Sequence, residues 1–321
     1  MNITAKNLVT GYGGKPVFPA FSVEAKSAEL VVLLGKNGVG KSTLLRTLAG
    51  LLPPLSGKVI IGDRNLAQYS TRERAMTTGF VSTERFKVAN LSVFDVVAMG
   101  RYSCTNWIGS LDSDDRRAIA RALEMSGAMH LAGKKINETS DGELQRVMIA
   151  RTLAQETPVI ILDEPTAFLD FPNKFDILML LRNLAWNSNK TVILSTHDLD
   201  LAMRFADNIW LMADGCLTQG APEDMALNRQ FDRIFANACV EFNYFAGTID
   251  TRTLATHEIA VRSSDPLVEF WTAKALARLG FKKVDNADLA IEIHNNRFIL
   301  HRQQSQQSFA DIYSLSRAIR S

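Results

Sequence analysis

The sequence predicts an α/β fold: a parallel sheet flanked by helices, followed by a small α+β extension. Three observations carry this. Short runs dominated by apolar residues, Leu30–Leu34, Pro158–Asp163 and Thr191–Ser195, have the length and composition of strands buried on both faces of a parallel sheet. Amphipathic stretches alternate with them, as the α/β order requires. The first run leads into Gly35-Lys36-Asn37-Gly38-Val39-Gly40-Lys41-Ser42 and then a helical stretch ending at Leu48. That is the G-x-x-x-x-G-K-[ST] pattern in its strand–loop–helix setting.

Taken in order, Ile3–Val9 and Phe21–Ala25 read as strands around a Gly-rich turn, Gly11-Tyr12-Gly13-Gly14. Pro53-Pro54 and Ser56-Gly57 end the first helix, and Lys58–Ile61 with Gly62-Asp63 reads as a hairpin arm. Phe80–Ser82 is a further strand. A mainly helical stretch covers Leu91–Leu131, interrupted near Tyr102–Ser110, with Asp112–Ser126 as a surface helix. Helices are predicted over Glu143–Gln155, Phe175–Trp186 and Asp198–Ala206. Asn208–Ala213 and Cys216–Gln219 form a strand pair about the turn Asp214-Gly215. Beyond Val240 the pattern changes to strands Phe242–Asp250, His257–Arg262, Asp288–His294 and Arg297–Arg302, helix Pro266–Leu279, a polar stretch Ser305–Ser308 and helix Phe309–Arg320. Domains are therefore expected at residues 1–239 and 240–321.

Of the 321 residues 46% are hydrophobic, enough for a full core, and 36 Lys and Arg against 34 Asp and Glu leave no basic excess for nucleic acid. Cys104, Cys216 and Cys239 are isolated and fit no disulfide framework or metal spacing. Met1–Ala5 lacks a signal-peptide pattern, and no apolar run approaches the ~20 residues that cross a bilayer. A cytoplasmic protein is expected, with any membrane role exercised through a partner.

The motifs point to phosphate chemistry. Glycines let successive N–H groups of the loop face one point, and the helix N-terminus adds its positive end. Lys41 would reach the β- and γ-phosphates, and the Ser42 hydroxyl would ligate Mg²⁺. Ile160–Leu162 end in Asp163-Glu164: Asp163 would hold Mg²⁺, and Glu164 would orient or deprotonate the attacking water. Ser140-Asp141-Gly142-Glu143 fits a capping box, and beyond simple capping Ser140 and Gly142 could bind a γ-phosphate. Parallel order would bring His197 to the same crevice, while Asp198 also fits a plain helix cap. Tyr12 could stack on adenine.

In combination these motifs resemble the nucleotide-binding subunit of ATP-binding cassette (ABC) transporters over about residues 1–235. Gly35–Ser42 matches Walker A, including Gly35, Asn37, Gly38, Gly40, Lys41 and Ser42, with Thr43 next to it. Ile160–Glu164 matches Walker B, Ala167–Asp170 the D-loop with Asp170, His197 the switch histidine and Tyr12 the aromatic A-loop. Thr139–Glu143 matches the signature as T-S-D-G-E in place of L-S-G-G-Q. The resemblance implies a P-loop NTPase fold, with a catalytic α/β lobe and a helical lobe at about residues 85–145. It implies ATP and Mg²⁺, hydrolysis, and a homodimer with each ATP between Walker A of one copy and the signature of the other. It further implies membrane permease subunits, an extracytoplasmic binding protein acting through them, and a place on the inner face of the membrane.

Ala98–Tyr102, Thr105–Gly109 and Ser140–Glu143 are similar to ATPases of iron-chelate, haem and cobalamin importers. The expected function is thus an importer ATPase for a metal chelate. The alternatives are another transported substrate or, less in keeping with the single phosphate loop and net charge of +2, a non-transport ABC enzyme. Thr83 and Glu84 stand where the family places a Gln, and Thr139 stands where it places a Leu.

Overall fold

A computed structural model describes residues 1–83, 90–104, 110–235, 240–251, 257–294, 297–302 and 305–320. Glu84, Thr105–Gly109, Cys239 and the turn expected at Asn295-Asn296 lie outside the described residues.

The chain runs β1 (Ile3–Val9), β2 (Gly11–Tyr12), β3 (Lys15–Pro16), β4 (Phe21–Ala25), β5 (Leu30–Gly35), α1 (Lys41–Leu48), β6 (Ser56–Ile61), β7 (Arg64–Asn65), α2 (Thr71–Thr77) and β8 (Thr78–Val81). It continues with α3 (Val93–Ala98), α4 (Ser113–Met125), α5 (Asp141–Leu153), β9 (Val159–Leu162), α6 (Phe171–Asn187), β10 (Thr191–Thr196) and α7 (Leu199–Phe205). Then come β11 (Asn208–Ala213), β12 (Cys216–Gly220), α8 (Pro222–Leu227) and α9 (Asp232–Phe235). The last part holds β13 (Val240–Asn243), β14 (Thr248–Thr251), β15 (His257–Ser263), α10 (Pro266–Ala277), β16 (Phe281–Val284), β17 (Leu289–His294), β18 (Arg297–Arg302), β19 (Ser305–Phe309) and α11 (Ile312–Arg320).

The central sheet has the order β12-β11-β5-β10-β9-β8. β11, β5, β10, β9 and β8 are mutually parallel, and β12 joins antiparallel through the Asp214-Gly215 turn. All residues of β5, β9 and β10 are buried, which is why they read as largely apolar runs without polar alternation. A second, antiparallel sheet, β4-β1-β6-β7, shares its core with α1 through Leu44, Leu45 and Leu48, packed with Ile3, Leu8 and Ile61. The parallel register sets Ser195 beside Leu33 and Leu194 beside Leu162, so the C-terminal ends of β5, β10 and β9 lie in one row.

Caps decide several helix starts. α6 begins at Phe171, four residues before the apolar pattern suggests, because Asp170 accepts the Asn173 N–H at 3.1 Å and Pro172 is tolerated in a first turn. α2 was not legible as an amphipathic run; it rests on a capping box between Ser70 and Glu73. In the helical region, Gly100 lets its backbone approach α5: a Cβ there would lie 2.1 Å from the Arg151 carbonyl oxygen. The Arg101 guanidinium is buried beside it and donates to Asp115 Oδ1, the Ala154 carbonyl and Glu156 Oε2, each at 2.8 Å.

Two compact units are present: Met1–Ala236 with Phe242–Thr248, and Asn237–Glu241 with Ile249–Ser321. The expected strand Phe242–Asp250 is instead two strands, because its middle turns back: Asn243 accepts the N–H groups of Phe245 and Ala246 at 3.1 and 3.0 Å. Phe242 stacks on Phe231, their ring centres 5.1 Å apart, and Tyr244 donates to Asp232 at 2.8 Å, which holds Phe242–Thr248 to the first unit.

The second unit is a sheet of order β16-β15-β17-β18-β19 with α10 and α11. Ile259, Val261, Ile291, Ile293, Phe298 and Leu300 pack on Leu276, Leu315 and Ile319, so both helices lie on one face. Ser305–Ser308, expected as a polar stretch only, forms β19, and Phe309 ends that strand instead of opening the last helix. Backbone pairing to β18 needs no apolar side chains at a sheet edge.

Candidate active site

The site grows from the loop between β5 and α1. Gly38 and Gly40 have φ of 79° and 110°, a region that side-chain-bearing residues rarely enter. This curl starts α1 at Lys41 with no side-chain cap and no acid in its first turn. The helix N-terminus is therefore left to be satisfied by an anion. Lys41 is 5% exposed, and its Nζ donates to the carbonyl oxygens of Gly35 and Lys36 at 2.9 and 3.2 Å. A pocket of about 370 Å³ is lined here by Val17, Asn37, Gly38, Gly40, Lys41, Ser42, Thr43 and Glu164.

β9 and β10 supply the carboxylates and their support. Asp163 is 2% exposed, and its Oδ1 accepts the Ser195 hydroxyl at 2.7 Å. The same Ser195 oxygen accepts the Glu164 N–H at 2.9 Å. Glu164 sits at φ 46°, a strained conformation for a residue with a side chain. Its two oxygens face different side chains: Oε1 is 3.6 Å from Lys41 Nζ, and Oε2 is 3.6 Å from His197 Nδ1. Asp198 accepts the Leu201 N–H at 3.2 Å and is the cap of α7.

Ser140, Gly142 and Asp170 form a second cluster, at the facing starts of α5 and α6. Ser140 Oγ accepts the Glu143 N–H at 3.3 Å, and Glu143 Oε2 accepts the Ser140 N–H at 2.8 Å and Lys134 Nζ at 3.1 Å. The Ser140 N–H, and secondarily Lys134, hold the Glu143 carboxyl below the usual carboxylate range. Gly142 lies against α6: a Cβ there would meet the Asn173 side chain at 3.2 Å. None of these residues lines the pocket of Lys41. Tyr12 is half-exposed in the β2–β3 hairpin and does not line it either, although Val17, just past that hairpin, does. Thr83 is exposed.

No sequence motif marks Ser195, Val17 or Asn173. Ser195 had no signal of its own, since a hydroxyl at the end of an apolar strand is ordinary. Only the register of β10 against β9 makes it a bridge.

A Gly-rich anion loop and two strand-end acids in one crevice of a parallel sheet define a P-loop nucleotide hydrolase. Comparison with known proteins narrows this class. The ABC transporter family model matches residues 19–167, and that of the iron ABC transporter C-terminal domain matches residues 256–320. The achromobactin transport ATP-binding protein CbrD of Dickeya dadantii (strain 3937) is 36% identical over 224 residues, covering 70% of this chain and 83% of that one. The hemin import ATP-binding protein HmuV of Bordetella pertussis (strain Tohama I) is 38% identical over 245 residues, covering 73% and 92%. Among solved structures, a dimeric bacterial ABC transporter cassette superposes with a TM-score of 0.61 at 28% identity, over 68% of this chain and 98% of that one. The chain belongs to the ABC transporter ATP-binding family. Members of this family bind and hydrolyse ATP, and they work as dimers with membrane permeases.

Proposed function

We propose that this chain is the ATP-hydrolysing subunit of an importer that takes up a metal chelate, a ferric siderophore, haem or cobalamin. The observation that carries the catalytic part is the placement of Glu164 between Lys41 and His197, 3.6 Å from each, at the mouth of the loop pocket. The relatives that transport achromobactin and hemin, with the iron-transporter C-terminal match, support the choice of cargo.

In this reading the N–H groups at the start of α1 and Lys41 grip the β- and γ-phosphates, and Tyr12 stacks on adenine. Glu164 orients the attacking water and accepts its proton, a role worth roughly 10²–10⁴ in rate. His197, beside Glu164, contacts the γ-phosphate. Ser42 and Asp163 would hold Mg²⁺. They fit it: both offer hard oxygens, and Mg²⁺ uses one or two protein ligands beside substrate phosphates. Among the described residues no group of three or more His, Cys, Asp or Glu could hold a metal without such help. Mg²⁺ would neutralise charge on the phosphates.

A second copy closes the site, presenting Ser140, Gly142 and the Asp170 loop to the nucleotide. No helix among the described residues is long and apolar enough to cross a membrane. The chain acts from the cytoplasmic face, docked on permease subunits that meet an extracytoplasmic binding protein. The first compact unit, Met1–Ala236 with Phe242–Thr248, serves as the ATPase domain, and the second, which holds Ile249–Ser321, as an accessory domain, so the chain crosses between them later than the expected boundary at residue 239.

The test is Glu164→Gln. ATP turnover should fall at least 100-fold while ATP still drives dimer formation, read by ATPase assay and sedimentation. Lys41→Ala and His197→Ala should each lose hydrolysis. Normal turnover by the Gln variant would remove Glu164 from its assigned role.

A further inference from the structure

α10 is apolar on both of its sides. On the inner side Val268 and Leu276 pack into the core of the second unit, and Ala275 is buried. On the outer side Leu267, Phe270 and Trp271 are 63%, 51% and 57% exposed. Their spacing of three and four residues puts them on one side of the helix. Phe270 and Trp271 meet edge to face, with ring centres 5.5 Å apart. α11 follows the ordinary amphipathic pattern instead: Leu315 and Ile319 turn inward, and its exposed residues are Tyr313, Arg317 and Arg320. A helix apolar on both sides belongs inside a packed structure. The two charges of α10 are answered within the chain. Glu269 pairs with Lys283, and Lys274 lies 3.6 Å from Asp250 and 5.8 Å from the centre of the Phe270 ring. Within Pro266–Ala277 no charge is left over to recruit an anionic membrane surface or a charged partner.

We propose that the outer face of α10, Leu267, Phe270 and Trp271, meets the same face of a second copy when ATP brings two chains together, an inference that rests on the dimeric ATPase reading above. Members of the family work as dimers, so each assembly carries this face twice. A two-fold contact pairs a patch with itself, and an uncharged apolar patch matches its own copy where a charged one would repel it. The three side chains expose roughly 350 Å². An ordinary specific interface takes about 800 Å² from each partner, so this face alone is too small to join free chains. Between chains already held together its effective concentration is of order millimolar, which suffices for a small contact. Aromatic side chains are also where the energy of such contacts concentrates. The contact therefore adds to ATP-driven closure and dissolves when the ATPase domains part.

The experiment uses the full-length chain with Glu164→Gln, so that turnover does not consume the complex. ATP-driven dimerisation is followed by sedimentation, and the nucleotide affinity of the single copy is measured with a fluorescent ATP analogue. Trp271→Glu and Trp271→Lys should each weaken the dimer about tenfold, because like charges then face each other across the two-fold. Mixed in equal amounts, the two variants should regain most of the lost affinity, since opposite charges then meet. Phe270→Ser should weaken the dimer in the same direction without any charge. Single-copy ATP affinity should stay at the parent value throughout, which shows that the first unit is intact. If Glu164→Gln dimerises with ATP and the Trp271 variants dimerise equally well, the contact is wrong and the ATPase reading stands. Weakening that mixing does not reverse also overturns it, because the face then serves something other than its own copy. If Glu164→Gln shows no ATP-driven dimer at all, the dimeric reading fails and the contact falls with it.

Discussion

Ser195 ties the two acids of the crevice together through one oxygen, donating to Asp163 and accepting from the Glu164 backbone. That bond steadies Glu164 in its left-handed conformation at φ 46° and orients the Asp163 carboxylate. Removing the hydroxyl leaves both acids present but less well aimed, and partners of this kind typically matter 10–100-fold. Ser195→Ala should therefore keep its fold and ATP affinity while kcat drops by about that factor, as steady-state kinetics and nucleotide titration would show. Thr83, in the place where the family puts a Gln, is exposed; Thr83→Gln should stay active in the ATPase assay. Glu73, bonded first by Arg64 and then by the Ser70 N–H, has its carboxyl drawn down to about 2. An NMR titration should show Glu73 ionised well below its ordinary value near 4.5.

At the scale of elements, the helical region depends on a buried charge. Arg101 spends its guanidinium on Asp115, the end of α5 and Glu156, and Arg101 and Asp115 are 8% and 5% exposed. Removing Asp115 leaves Arg101 with Glu156 and the Ala154 carbonyl, so the loss is that of one buried charge-assisted hydrogen bond, on the order of 2 kcal/mol. Asp115→Ala should lower stability by about that amount in denaturant unfolding. The hydrogen bond from Arg101 holds the Asp115 carboxyl below its ordinary value. Its folded value is the lower one, so its contribution is present above about pH 4 and is lost as pH falls through that lowered value.

Elements of this kind were legible to different degrees. β5, β9 and β10 stood out because strands buried on both faces are dominated by apolar residues. The loop before α1 stood out because its conformation demands glycine. α2 and β16 did not, since one depends on a cap and the other on a neighbouring backbone. The pairing of Arg101 with Asp115, or of Lys134 with Glu143, joins residues from different elements, and no local pattern announces it.

At the scale of the whole molecule, among the described residues one hydrophobic core lies beneath the nucleotide loop and another lies between the sheet of the second unit and its helices. Each should answer to its own perturbation. Ile291→Ala, at a fully buried position of the second core, should cost about 3 kcal/mol there. It should leave ATP affinity unchanged. ATP at 100 times its Kd should stabilise the first unit by about 2.7 kcal/mol by mass action. Calorimetry of Ile291→Ala with and without nucleotide would resolve the two shifts.

The borders of the sheet in the second unit carry a different lesson. One is β16, with exposed Lys282 and Lys283, and the other is β19, with exposed Ser305, Gln306, Gln307 and Ser308. A bare strand invites another chain to extend the ladder, and lysines and hydrophilic side chains discourage it. Copies of this chain at high concentration would stay discrete instead of knitting into fibres.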